Sequence, residues 1–392
     1  MSAEAAGIAW SRPADAASHV EGLPFGSVPF LSYRGRLSRS VAIAFLFGAL
    51  AAVDIATSPD LSFLVFYLLP VLLAAWFLGR REGLLVSFAS VAVWALDDAL
   101  TRPLRSGPGI PAWNRAGQLA FFVFLAWLAG TLKTVLEKEV RARSEHLERD
   151  LALAREVQAS LLPPPHLEAG RFVAEARCHQ AWGLGGDAYD LGSLGDGRLY
   201  VAVADVSGKG MAAALLMSSF LASLRLLLPS HAGRLDVLAG RLSERLHASF
   251  GAPRFVTAFV GVVEDGGLRY VNAGHTPGFV LGPRAPSGDA LGSTGTVLGL
   301  LPGATFREGR VPFPPGSLLV LFTDGLTECV NAAGEEFGEE RALAAAASAG
   351  GTPSSVVEAL LAAASSHAAG EPFGDDVTIV CLRREAGEGA PS

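Results

Sequence analysis

The sequence predicts an α+β sandwich over residues 163–384, preceded by a unit of apolar helices. Three observations predict it. Of 392 residues, 50% are hydrophobic and only 18% charged, where soluble domains carry about 25% charged residues; the excess is concentrated before residue 137. Residues 131–162 then contain no Gly or Pro and many charges. Beyond residue 163, short runs of β-branched and aromatic residues alternate with Ala- and Leu-rich segments. The net charge of −7 gives no basic footprint for nucleic acid. Three cysteines without CxxC spacing make neither a disulfide framework nor a zinc site.

Residues 1–36 lack periodicity, contain Gly and Pro, and are expected to form a disordered tail. Four apolar runs follow, about 41–56, 61–78, 83–96 and 118–136. A helix crosses a bilayer with about 20 mainly apolar residues. The second and fourth runs meet this directly; the other two need their flanks. The expectation is a four-helix transmembrane domain over 37–136, in contact with membrane lipid. Helices buried in a soluble domain would need a polar face, which these lack. A cleavable signal peptide would place its charged and apolar regions at the start of the chain, not near residue 41. Arg34, Arg36 and Arg39, then Arg80 and Arg81, then Lys133 and Lys138 fall on one side of four crossings, which should be the cytoplasm. Arg102, Arg105 and Arg115 reduce the asymmetry. Asp97 and Asp98 end the third run and read as a water interface rather than a sensing site.

Residues 137–162 form a helical linker. Leu136, Val140, Leu147, Leu151, Ala154, Val157 and Leu161 recur mostly at three- and four-residue steps, one apolar stripe between balanced charges. Such a stripe suits a coiled-coil-like pair, hence a homodimer. Pro163, Pro164 and Pro165 end the helix. His146 reads as a solvated residue of this linker, since no Gly-rich nucleotide boxes follow it as they would a phospho-accepting His.

In 163–384, strands are expected at 200–206, 255–263, 268–274, 317–324 and 377–383, and helices at 212–228, 235–250, 341–349 and 354–367. Strands in runs with helices inserted among them argue for a sandwich rather than a regular βαβ wind. Residues 385–392 read as a second disordered tail.

The acidic residues carry the chemistry. Asp187 and Asp190 lie in GGDAYD, Asp205 in ADVSGKG, Asp324 in FTDGLTE, and Asp375 and Asp376 in GDDVTIV. A single Asp-Gly pair is usually a turn. Four such sites, most at the ends of core strands, ask for more. Carboxylates brought together repel and need a cation to stay ionised. Oxygen-only ligands suit Mg²⁺ or Mn²⁺, and paired ions serve phosphate displacement. None of Cys178, Cys329 and Cys381 stands in a phosphate-cradling loop, which disfavours a phosphocysteine route.

AREVQASLLPP, GGDAYDL, ADVSGKGMAAALLM, NAGHTPGFVL, VLFTDGLTE and GDDVTIVCLR resemble, in order and spacing, the metal-dependent protein phosphatases of the PPM family, in the bacterial branch typified by SpoIIE and RsbU. The resemblance covers about residues 150–384. It implies a PPM-type β-sandwich flanked by helices, two Mn²⁺ or Mg²⁺ ions, and hydrolysis of phosphoserine or phosphothreonine on a protein, commonly an anti-sigma-factor antagonist. It implies that Asp187 bridges both ions, that Asp205 binds one with the carbonyl of Val206 alongside, and that Asp324 and Asp375 complete the second. Asp190 would cap a turn and Asp376 would orient Asp375. Glu328 is a neighbour of Asp324 without metal contact. Lys209 is either a phosphate contact or a loop stabiliser; His275 faces the site or pins a hairpin. Eukaryotic relatives carry a phosphate-binding Arg and a His near the metals; neither has a clear counterpart here, and the general acid stays open. FYLLPVLLAAWFLGRREGLL resembles four-helix membrane sensor modules fused to bacterial output domains, which implies a bacterial inner-membrane protein with its catalytic domain in the cytoplasm. Two other readings are a non-catalytic receptor or scaffold on the same fold, and a diguanylate cyclase, since GGDAYD superficially resembles a cyclase hairpin.

Overall fold

The computed structural model describes residues 35–57, 64–101, 109–181, 183–195, 197–251, 253–264, 267–282 and 285–385. All but the last two residues of the tail expected at 1–36, and nearly all of that at 385–392, lie outside these residues, as do the side chains of Asp97 and Asp98; Arg36, placed in the tail by expectation, instead opens a helix. The chain divides into two compact units, Met1–His146 and Leu147–Ser392.

The first unit is helical. It comprises α1 (Arg36–Ala56), a 3₁₀ turn (Leu64–Tyr67), α2 (Leu68–Leu73), a π turn (Ala74–Leu78), α3 (Arg80–Thr101) and the start of α4 (Gly109–Leu161). Its small core joins Tyr67, Val71, Ala75, Phe122 and Ala126. Most large apolar side chains point outward, among them Phe45, Val65, Leu85, Phe88, Trp113, Phe121 and Phe124. Helices apolar all round suit lipid rather than water. By length and composition, α1 and the stretch from Ala112 can cross a membrane. The described part of the run at 61–78 is helical throughout, passing from a 3₁₀ turn through α2 to the π turn, and its Val65–Leu78 stretch alone is shorter than the ~20 residues of a full crossing. The charged stretch expected as a helical linker is helical to Leu161. It continues the fourth apolar run as one helix, α4, without a break, because no Gly or Pro interrupts 118–161 apart from Gly130.

The second unit is a four-layer sandwich. One sheet runs β1 (His166–Ala169), β2 (Phe172–His179), β11 (Val377–Arg384), β10 (Leu318–Phe322), β7 (Gly278–Gly282), β8 (Ala285–Leu291). The other runs β3 (Ala188–Ser193), β4 (Leu199–Val206), β5 (Val256–Glu264), β6 (Gly267–Ala273), β9 (Gly309–Val311). All described pairings between these strands are antiparallel. Side chains alternate across a strand, and here both faces are buried. Val201 and Val203 of β4 meet Leu319, Leu321, Val380 and Leu382 of the facing sheet in the central core. Ala202, Ala204 and Val206 pack outward against α5 (Met211–His231) and α6 (Leu235–Phe250). On the other side Leu318, Val320, Phe322, Ile379 and Cys381 pack against α8 (Gly338–Ser348) and α9 (Pro353–His367). Burial on both faces makes these strands read as continuous apolar runs.

Helix α5 has the hydropathy of a membrane span. It lies instead on the sheet, burying Leu216, Met217, Phe220, Leu221 and Leu224 in the outer core. Hydropathy alone does not separate a bilayer from a protein interior.

Candidate functional site

The antiparallel register assembles the acids. Ala188 of β3 pairs with Ala204 of β4, so one step along the ladder Asp187 stands across from Asp205. Phe322 of β10 pairs with Ile379 of β11, and just beyond this end lie Asp324, in the short helix α7 (Asp324–Thr327), and Asp375 and Asp376. The two sheets are tied here. Thr323 donates its hydroxyl to Asp187 Oδ2 at 2.7 Å and accepts from the Thr378 N–H at 2.9 Å. Asp376 accepts from the backbone of Ala181 and Gly186, each at 2.9 Å.

Four of the predicted residues, Asp187, Asp205, Asp324 and Asp375, thus share one end of the sandwich, and their electrostatics show it. Burial raises the Asp187 carboxyl well above the usual range, and the charge of Asp205 adds to it. Burial, then the charges of Asp324 and Asp375, push Asp205 up to about 7. Asp324 is raised by burial and then by Asp375. Lys209 Nζ lies 2.8 Å from Asp375 Oδ2, and that bond raises its pKa.

Asp187 and Asp205 stand among elements that suit a hard divalent cation. The donors are all oxygen. An ideal Cβ on Gly186 would lie 2.8 Å from the Val206 carbonyl oxygen, so only glycine lets that carbonyl stand against the Asp187 loop. Among the described residues no three His, Cys, Asp or Glu side chains are drawn into a finished cage; Asp187 is engaged by Thr323 and Asp375 by Lys209. The set fits such ions by chemistry, with closure of the carboxylates left to binding.

The other predicted residues take different places. Asp190, expected to cap a turn, lies inside β3 and is held by Arg225 of α5, Nε to Oδ2 at 2.8 Å and Nη2 to Oδ1 at 3.0 Å. The cause is non-local: β3 faces α5, and a buried carboxylate requires a partner. The Asp376 carboxylate grips the loop at 181–186, and its N–H, not its side chain, reaches Asp375 at 2.9 Å. His275 is buried; its N–H donates to Asn272 Oδ1 at 2.8 Å and its Nδ1 stands 2.9 Å from Thr257 Oγ1. Burial lowers its pKa to about 4, so the ring is neutral at pH 7. Thr257 pairs with Asp205 across the ladder, which places His275 beneath the site as a support. Glu328 is exposed, bound to the Asp324 carbonyl through its N–H at 2.8 Å. Cys178 is pushed up to about 12 by burial and then by Asp187; such a thiol is no nucleophile at neutral pH. Sequence reasoning missed Thr323, Arg225 and Gln158. The only signals were a Thr before Asp324, a lone Arg in an apolar helix, and a Gln in AREVQ.

Raised carboxyl pKa values bear on stability. A group that binds its proton more tightly folded than unfolded contributes stability below the unfolded pKa, near 4, that is lost as pH rises through the folded one, near 7 for Asp205. Without divalent metal, the second unit should therefore unfold at falling temperature from about pH 4.5 to 7.5. Melts in EDTA across that range check this; a flat or rising midpoint contradicts it.

Residues 195–385 match the family model described as stage II sporulation protein E (SpoIIE). Protein IcfG of Synechocystis sp. is 27% identical over 286 residues, 66% of this chain and 45% of that protein. The phosphoserine phosphatase RsbU of Bacillus subtilis is 27% identical over 192 residues, 48% of this chain and 57% of its own. The chain thus spans about half the length of the curated relatives it matches. Among solved structures, the SiaA-PP2C domain of Pseudomonas aeruginosa superposes with a TM-score of 0.53 at 20% identity, over 62% of this chain and 98% of that domain. At that identity the likeness speaks to the fold.

Proposed function

We propose, from the premise that the second unit is a SpoIIE/RsbU-type PPM phosphatase domain, that this chain is a membrane-anchored signalling phosphatase. It hydrolyses phosphoserine or phosphothreonine on a protein, with an anti-sigma-factor antagonist as the substrate class. The observation that carries the reading is the gathering of Asp187, Asp205, Asp324 and Asp375 at one end of two apolar sheets. PPM phosphatases are metal-dependent. Here Asp187, Asp205, the Val206 carbonyl, Asp324 and Asp375 would hold two Mn²⁺ or Mg²⁺ ions. Such ions supply charge that keeps the carboxylates ionised and acidity that readies a water for attack on phosphorus. Thr323 holds Asp187 in place, Asp376 holds the loop before it, and Lys209, paired with Asp375, would be the cation available to a substrate phosphate.

In the same reading residues 37–136 are the multi-pass sensor in the cytoplasmic membrane. Residues 137–162 pair with a second copy, and 163–384 form the catalytic domain on the cytoplasmic side. The exposed Val140, Leu147, Leu153 and Val157 support pairing through α4.

The test uses the full chain in detergent, a phosphoserine protein, and Mn²⁺ or Mg²⁺. Release of inorganic phosphate is expected, and EDTA should stop it. Mn²⁺ binding without phosphate release from any phosphoserine or phosphothreonine protein would favour the scaffold; a cyclic dinucleotide formed from GTP would favour the cyclase.

A further inference from the structure

We infer that Gln158, near the end of α4, is a positioning residue for the loop that carries Asp187, and that through it the end of the linker helix and the cation site behave as one thermodynamic unit. The inference rests on the reading of Asp187 and Asp205 as metal ligands.

Gln158 is the most buried residue on the face of α4 that packs on its own unit, where Leu151, Ala154 and Leu161 are only partly buried. Leu153 and Val157 are 61% and 62% exposed, whereas Gln158 is 3% exposed. A buried polar side chain beside exposed apolar ones is there for its hydrogen bonds. Both ends of the amide are used on one residue: Nε2 donates to the Gly185 carbonyl at 2.6 Å, and Oε1 accepts from the Gly185 N–H at 3.4 Å. Asp376 closes the other side. A Cβ on Gly185 would run into the Asp376 carboxylate, which also takes the Gly186 N–H at 2.9 Å. The Gly185–Gly186 backbone is therefore clasped between the linker helix and the residue next to Asp375, one peptide before Asp187.

Two further ties bind the same short segments. Arg225 donates to the Leu161 carbonyl at 2.7 Å while holding Asp190. The Tyr189 hydroxyl donates to the Pro163 carbonyl at 2.8 Å. Residues 158–163 thus grip 185–190 at three points, with Asp187 between them. Of the three, only the Gln158 tie precedes Asp187 in the chain, and it alone comes from a side chain of α4. A shift or rotation of α4 would move Gly185 directly. Linkage makes this reciprocal: if docking of Gln158 favours the cation, the cation favours docking by the same factor.

The full chain in detergent tests this with Mn²⁺ alone as probe. Free Mn²⁺ is followed by paramagnetic resonance, and amide exchange over 155–161 is measured with and without the ion. Gln158→Met keeps length and loses both bonds; Gln158→Glu keeps the acceptor for the Gly185 N–H and sets an oxygen against the Gly185 carbonyl. In the native chain, Mn²⁺ should slow exchange in 155–161. Both variants should bind Mn²⁺ about tenfold more weakly, about 1.4 kcal/mol, and the ion should no longer slow that exchange. Should Gln158→Met lose exchange protection in β4 and β5, Gln158→Glu decides. Native Mn²⁺ affinity in a folded variant, or native exchange in 155–161 indifferent to Mn²⁺, overturns the inference alone. No Mn²⁺ binding by the native chain overturns the metal reading and this inference with it.

Discussion

Asp187→Ala should abolish measurable phosphate release from a phosphoserine protein, lowering kcat/KM by at least 10²–10³, on the order of 2.7–4 kcal/mol of transition-state stabilisation. Asp187 is 1% exposed, faces Asp205 across the β3–β4 ladder, and is the acid that both sheets hold, through Thr323 of β10's end. No neighbour can take its place, since Asp190 is committed to Arg225 and Asp376 to the loop at 181–186. The variant has a second signature of opposite sign. Burial and the charge of Asp205 make this carboxylate costly when ionised, so its removal should not lower the metal-free melting midpoint at pH 7.5. Activity lost together with stability would mean that Asp187 serves the fold. Undiminished activity would sink the metal reading.

Arg225→Ala should destabilise the second unit by about 3 kcal/mol, the lower end of what breaking a buried ion pair costs. The Asp190 side chain is 2% exposed while that of Arg225 is 40% exposed; the loss falls on the carboxylate, left without its bidentate partner. The Leu161 carbonyl loses its donor in the same change. Urea unfolding followed by tryptophan fluorescence measures the effect. Asp190→Asn combined with Arg225→Met should recover part of the loss, because pairs in contact are not additive. A loss below ~1 kcal/mol in the single variant would show that the pair is as weak as a surface ion pair.

Much of the second unit is legible in the sequence. The strands expected at 200–206, 255–263, 268–274, 317–324 and 377–383 fall within a residue or two of β4, β5, β6, β10 and β11, because strands buried on both faces announce themselves as unbroken β-branched runs. So do α6 and α9, by their Ala- and Leu-rich composition, while α5 and α8 each differ by three residues at one end. Strands β1, β2, β3, β7, β8 and β9 are not among the expected ones. β2 carries Glu175, Arg177 and His179 within eight residues, and β3 carries Asp190 and Gly192; such polar and flexible residues mask the period. Of the site, the acids are legible because Asp187, Asp324 and Asp375 each stand beside a Gly and Asp205 stands at the end of an apolar strand, three residues before Gly208.

The sequence alone determined three things about this protein: where apolar surface had to be removed from water, where the chain had to turn, and which side chains were chemically able to gather at a cation. All three are local, written in composition, periodicity and short motifs. The tertiary structure decided which groups meet. It turned α5, as apolar as a membrane span, onto a sheet. It gave Asp190 to Arg225, 35 residues away, and set Gln158 on Gly185, 27 residues away. It brought Asp187 and Asp324 to one end of the sandwich from two different sheets. Such pairings follow from strand register and sheet order, which depend on the whole core packing at once; no short window of sequence contains them.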